Sequence, residues 1–154
     1  MKLDRAMIAY GSNMDLGQME YRCPGARVLG RSELEGWRLA FRGRPGNAHA
    51  TIQPEAGART PVLVWAISER HEATLDIYEG VEGGYYYKHY LPVTVDGRTY
   101  EGALVYIMTP QPYNLPSRRY FDGIAAGYRD AGIGPGPLHA ALETARELQG
   151  KEVK

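Results

Sequence analysis

Several common chemistries are excluded by what this 154-residue chain does not contain. It has one cysteine, Cys23, so no internal disulfide can form, and a reducing compartment is the fitting setting. It has no net charge, with 18 basic and 18 acidic residues, and so lacks the basic surplus that nucleic-acid binding calls for. No apolar run approaches the ~18–20 residues of a membrane span. The polar start Met1-Lys2-Leu3-Asp4-Arg5 has no signal-peptide core. The expectation is a cytoplasmic protein without nucleic-acid or membrane partners. Its four histidines, His49, His71, His89 and His139, are scattered and share no metal-ligand spacing with Cys or Asp. No cofactor fingerprint or phosphate loop is present, and Ser12 lacks the second glycine of a nucleophile elbow. No metal or cofactor is therefore expected. Phenylalanine is rare (2 residues) but tyrosine is abundant (12), and an apolar ring with a polar tip suits a lined cavity as well as a core.

Strand signals dominate the first two thirds. Residues 6–10, 26–34, 37–42, 48–53 and 61–67 read as strands, with Gly36 marking a bend and a loop over 54–57. Residues 15–21 read as a short helix broken by Cys23-Pro24-Gly25. Ser68 is an N-cap, with Glu69 and Glu72 in the first turn of a helix that Gly80 ends. Segments 85–95 and 99–108 form a hairpin around Asp96-Gly97. Helices follow over 117–131 and 138–149. The basic cluster from Arg38 to Arg44 fits an edge strand with charges on its wet face better than a binding patch. No repeat or linker divides the chain, which reads as a single domain over 1–154. Its class is α+β, a small mixed or antiparallel β-barrel, or a curled sheet, with short helices packed around it.

With nucleophiles and metals set aside, a carboxylate and backbone donors remain. The first strand runs into Tyr10-Gly11-Ser12-Asn13-Met14, small residues whose N–H groups can converge on a carboxylate or an oxyanion. By turn chemistry alone the same residues also make a plain strand-ending turn. Glu79 stands at a helix C-terminus, where the helix dipole disfavours its ionised form, and neighbouring tyrosines add desolvation. A carboxylate so raised can take and return a proton. The ordinary alternative is a helix-end glutamate with its charge in water. On a strand, Tyr86 faces opposite to Tyr85 and Tyr87, for which core or cross-strand packing is the expectation.

These segments together resemble the γ-glutamylcyclotransferase-like superfamily: Tyr10-Gly11-Ser12-Asn13-Met14, then Leu75-Asp76-Ile77-Tyr78-Glu79-Gly80-Val81 with Gly84-Tyr85-Tyr86, and Gly102 to Met108 with Tyr120 and Ile124 beyond. The likeness runs from about residue 7 to 142. It implies a small α+β barrel holding its substrate in a cavity. Tyr10, Gly11, Ser12 and Asn13 match the glutamyl-binding loop, Glu79 matches the acid/base glutamate, and Tyr86 and Tyr106 match pocket-lining positions. The Tyr-Gly-Ser-Asn form is similar to the branch acting on γ-glutamyl amino acids or peptides. The implied reaction is attack of the substrate's α-amine on its own γ-carbonyl, giving 5-oxoproline and a free amine. It needs no enzymic nucleophile, metal or cofactor. The implied partner is a small γ-glutamyl molecule, with the protein a monomer or homodimer. Two alternatives stay open: a non-catalytic binding or interaction module on the same fold, and an amidohydrolase or deprotecting enzyme of a biosynthetic pathway.

Overall fold

The most apolar segments of the chain lie side by side at the centre of one sheet. The structure, a computed structural model, describes residues 1–152; the last two residues, counted in the domain above, lie outside the described residues. The strands are β1 (Arg5–Ala9), β2 (Arg27–Arg44), β3 (Asn47–Ile67), β4 (Tyr86–Val95) and β5 (Arg98–Met108). The helices are α1 (Leu16–Arg22), α2 (Glu69–Tyr78), α3 (Arg118–Asp130) and α4 (Gly136–Glu147). The strand order is β2-β3-β1-β5-β4. β1 runs antiparallel to β3 and parallel to β5, where Met7 faces Leu104. Met7, Ile8, Val62, Val64, Leu104 and Val105 are fully or almost fully buried there, each contributing about 1.5–3 kcal/mol of apolar burial.

The α+β class is as expected, but the sheet curls without closing into a barrel. Its edges, β2 and β4, approach closely without forming a ladder: the Ser32 hydroxyl donates to Thr94 O at 2.6 Å. Gly30, at φ +147°, has no room for a Cβ, which would stand 2.6 Å from Val95. The expected division of residues 26–42 into two strands is corrected, since β2 is continuous. So is β3, which runs through the expected loop over 54–57. The pairing passes from Glu35 opposite Arg59 to Trp37 opposite Pro54, so residues 55–58 bulge around Gly36 rather than leaving the sheet. β2 is an edge strand, but its arginines are not simply on a wet face. Arg42 is buried and donates Nε–H to Gln111 O at 2.6 Å, and Arg38 reaches Thr144 of α4.

Helix α2 starts where its sequence says it should. The Ser68 hydroxyl accepts from His71 N, and His71 Nδ1 accepts from Ser68 N, both at 3.1 Å. Glu79 is the C-cap, and Gly80 follows at φ +64°. The hairpin turn is as predicted, with Asp96 and Gly97 both at positive φ (48° and 80°).

Two lengths then place the helix end. β3 leaves the sheet at Ile67, opposite Arg5 at the start of β1. α2 returns along β1, held at its first turn by an Arg5–Glu72 ion pair at 3.1 Å. Ten helical residues rise about 15 Å, and five strand residues span about 16 Å. Glu79 therefore arrives beside the segment that follows β1. Lys88 of β4 locks this placement, donating at 2.8 Å to both Glu72 and Asp76.

Candidate active site

The segment after β1 forms a short 3₁₀ turn over Ser12–Met14 rather than an open turn. Met14 N–H donates to Gly11 O at 3.0 Å and Asp15 N–H to Ser12 O at 3.1 Å. Among the described residues, the N–H groups of Ser12 and Asn13 have no protein acceptor. The turn is held from behind. Trp65 Nε1–H donates to Asn13 O at 3.1 Å, and Gln18 Nε2–H to Ser12 O at 3.1 Å. Gly127 of α3 presses on Met14 so closely that a Cβ there would lie 2.9 Å from the Met14 carbonyl carbon. Gly11 abuts Ala50, 3.0 Å from where its own Cβ would be. The turn is thus clamped between β3, α1 and α3.

Glu79, Tyr10, Gly11, Ser12, Asn13, Tyr86 and Tyr106, the residues singled out from the sequence, all line one cavity. Ile8, Ala9, Ala50 and Tyr120 complete its wall. The enclosed space is about 30 Å³, enough for a water or two. Ser12 and Tyr120 also border an open groove of about 520 Å³, lined further by Asp15, Gln18, His49 and Arg119.

The tyrosine hydroxyls around Glu79 are engaged with other partners. Tyr10 donates to Tyr106 O (2.5 Å), Tyr86 to Ala50 O (2.6 Å) and Tyr106 to Asp76 (2.8 Å). Tyr120 accepts from Ala50 N–H at 3.0 Å, and the Tyr85 hydroxyl pairs with His49 Nδ1 at 2.7 Å. Burial, followed by the nearby Glu79 charge, holds the Tyr10 hydroxyl well above its ordinary range. Among the described residues, the protein hydrogen bond to the Glu79 carboxylate is that of Asn13 Nδ2–H, at 3.4 Å. The carboxylate is therefore desolvated and largely unpaired. Burial raises its pKa from 4.5 to about 7, against the opposing charge of Arg22 and the Asn13 bond.

One expectation about the surroundings is corrected. Tyr78 does not desolvate Glu79: it is 47 % exposed and carries the Arg22 guanidinium 4.3 Å from its ring centroid. Tyr85 packs against the core, as expected, edge-on to Tyr86. It precedes β4, so strand alternation does not apply, and its hydroxyl points to His49. Tyr87 is exposed. Tyr120 and Arg22 were not chosen from the sequence. Tyr120 lay within the resembling late segment, but nothing local marked it, and Arg22 carried no signal of its own. Among the described residues no three His, Cys, Asp or Glu side chains converge as a metal ion would require.

The family profile of AIG2-like proteins matches residues 61–135. The bovine and human γ-glutamylcyclotransferases are 29 % and 28 % identical to this chain over 136 residues, which is 81 % of this chain and 70 % of each relative. Over most of its length the chain is thus similar in sequence to γ-glutamylcyclotransferases. A solved γ-glutamyl cyclotransferase superposes with a TM-score of 0.78 at 24 % identity, covering 97 % of this chain and 90 % of that one. A human protein solved as uncharacterized protein loc79017 gives 0.78 at 25 % identity, covering 97 % and 89 %. In this chain the carboxylate at the end of α2 and the turn after β1 line one small hollow, joined by the Asn13–Glu79 hydrogen bond.

Proposed function

We propose that the chain is a cyclotransferase that converts a γ-glutamyl amino acid, peptide or amine into 5-oxoproline and the released amine. The observation that carries the reading is the meeting of a desolvated, nearly unpaired Glu79 carboxylate with the unsatisfied N–H groups of Ser12 and Asn13 in one cavity. The substrate's α-nitrogen bonds to its own γ-carbon as the γ-carbon–nitrogen bond to the leaving group breaks. The α-ammonium gives up two protons in becoming the lactam N–H, and the departing nitrogen takes up two as it leaves as an ammonium. Glu79 relays them, accepting before it donates, and a pKa of about 7 suits both steps near neutrality. Ring closure within one molecule supplies much of the rate, since effective molarities reach ~10⁵–10⁸ M in well-oriented cases. The free N–H groups of the turn receive the anionic part of the substrate, either its α-carboxylate or the developing oxyanion, where one donor is worth about 2.7–4 kcal/mol. Tyr10, Tyr86 and Tyr106 hold the cavity's shape through their own bonds. The leaving group lies toward the groove bordered by Ser12 and Tyr120.

The test is incubation with a panel of γ-glutamyl amino acids, peptides and amines, with mass-spectrometric detection of products. 5-Oxoproline from the parent and none from a folded Glu79→Gln variant is the expected outcome. Release of glutamate instead would make the protein a hydrolase, and binding without turnover would make it a binding module.

A further inference from the structure

The last residue of α1 reaches the site through a chain of contacts that the cyclisation reading leaves unused. Arg22 Nη1–H donates to Asn13 Oδ1 at 3.0 Å, and Asn13 Nδ2–H donates to Glu79 Oε1 at 3.4 Å. A guanidinium offers donors only. It therefore dictates which end of the buried Asn13 amide faces Glu79. Were the amide reversed, Arg22 would meet an NH₂ group and Glu79 would meet a carbonyl oxygen, leaving both contacts repulsive. Arg22 is itself held in place. Its guanidinium stacks on Tyr78, the neighbour of Glu79 in sequence. Its helix is capped by Asp15, whose carboxylate accepts from Gly17 N–H at 3.0 Å. The backbone just beyond it is anchored where the His71 ring meets Pro24 O at 2.7 Å. No carboxylate forms an ion pair with Arg22 among the described residues.

We propose that Arg22 is a positioning residue that acts through Asn13, fixing the amide so that it donates to Glu79 and sets the pH at which that carboxylate takes up its proton. The proposal rests on the cyclotransferase reading for its kinetic consequence, but not for its titration. The groups around Glu79 leave Arg22 as the cation that opposes burial. Tyr10 just after β1, Tyr85 just before β4, Tyr86 at its start, Tyr106 of β5 and Tyr120 of α3 are neutral near pH 7, and burial pushes each of their hydroxyls upward. Of the other carboxylates on α2, Glu72 is paired with Arg5 and Lys88 and Asp76 with Lys88, and Glu69 lies in the first turn, at the opposite end of the helix from Glu79.

Arg22→Met is compared with the parent by the pH profile of kcat/KM for 5-oxoproline formation and by ¹³C NMR titration of the Glu79 carboxyl. An opposite charge within ~4–6 Å typically lowers a carboxyl pKa by about 1–3 units, and with the Asn13 amide between Arg22 and Glu79 the low end of that range applies. Its loss should therefore raise the lower limb by about one pH unit, which is a roughly tenfold rate loss at pH 6 and almost none at pH 9. Arg22→Lys, which keeps a cation, should move the limb less and serves if Arg22→Met does not fold. In an Asn13→Ala background the positioning part of the effect should vanish, so that the two substitutions together shift the limb by less than the sum of their separate shifts. A uniform rate loss at every pH, an unshifted titration, or full additivity with Asn13→Ala overturns the proposal. If the parent makes no 5-oxoproline, the cyclotransferase reading fails while the NMR titration still tests Arg22.

Discussion

A carboxylate held near neutrality in a cavity destabilises the fold whenever it is ionised, and this gives a test of Glu79 that needs no substrate. In the unfolded chain Glu79 titrates near 4.5, and in the folded chain at about 7. The folded state thus holds the proton more tightly. Stability is unaffected below about pH 4.5, falls as the pH rises from there to about 7, and is level above that. A gap of about 2.5 pH units at ~1.36 kcal/mol each is about 3 kcal/mol. Glu79→Gln removes the titration while keeping the shape and a carbonyl oxygen for the Asn13 donor. Relative to the parent, the variant should gain about 3 kcal/mol between pH 4.5 and pH 8. For a chain of this size that is about 6–12 °C in Tm. Urea or thermal unfolding of both proteins across this range measures the difference. A difference that stays constant with pH would mean that Glu79 is hydrated and that its role as the proton carrier is misassigned.

Other perturbations follow from the same geometry. The kcat/KM of the parent should rise with pH through about 7, as Glu79 becomes able to accept a proton, and fall again when the substrate's own ammonium deprotonates; a rate independent of pH between 5 and 8 would contradict this. Gly127→Ala places a methyl 2.9 Å from the Met14 backbone, which should cost about 1–3 kcal/mol in urea unfolding and lower activity by displacing the turn. Tyr120→Phe leaves the Ala50 N–H without its acceptor, at about 1–3 kcal/mol by the same measurement. Lys88→Met leaves the half-buried Glu72 and Asp76 carboxylates facing each other and should cost about 1 kcal/mol, with a larger proportional loss of activity because α2 carries Glu79.

Features governed by neighbours in sequence were legible before any coordinates. The Ser68 cap, the Gly80 stop and the Asp96-Gly97 turn depend on local backbone preferences, and each lies where those preferences put it. The Tyr10-Gly11-Ser12-Asn13 motif and Glu79 were visible as a pair, but the pairing came from resemblance; no local rule brings residues 66 positions apart together. The continuity of β2 and β3 could not be read, because a bulge depends on the partner's register, and Gly36 or Pro54 alone signals a break as readily as a bend. Tyr120 and Arg22 were silent for a related reason, since a helix surface gives no sign of what it will face.

Residue types and short-range spacing were thus enough to set the helices, their caps and the hairpin turn, but not the extent of the two long strands. The burial of Glu79, the orientation of the Asn13 amide and the tyrosine hydroxyls' partners arise only once α1, α2 and α3 close on the end of β1. Desolvation is a property of everything around a group, and most of what surrounds this carboxylate comes from distant parts of the chain.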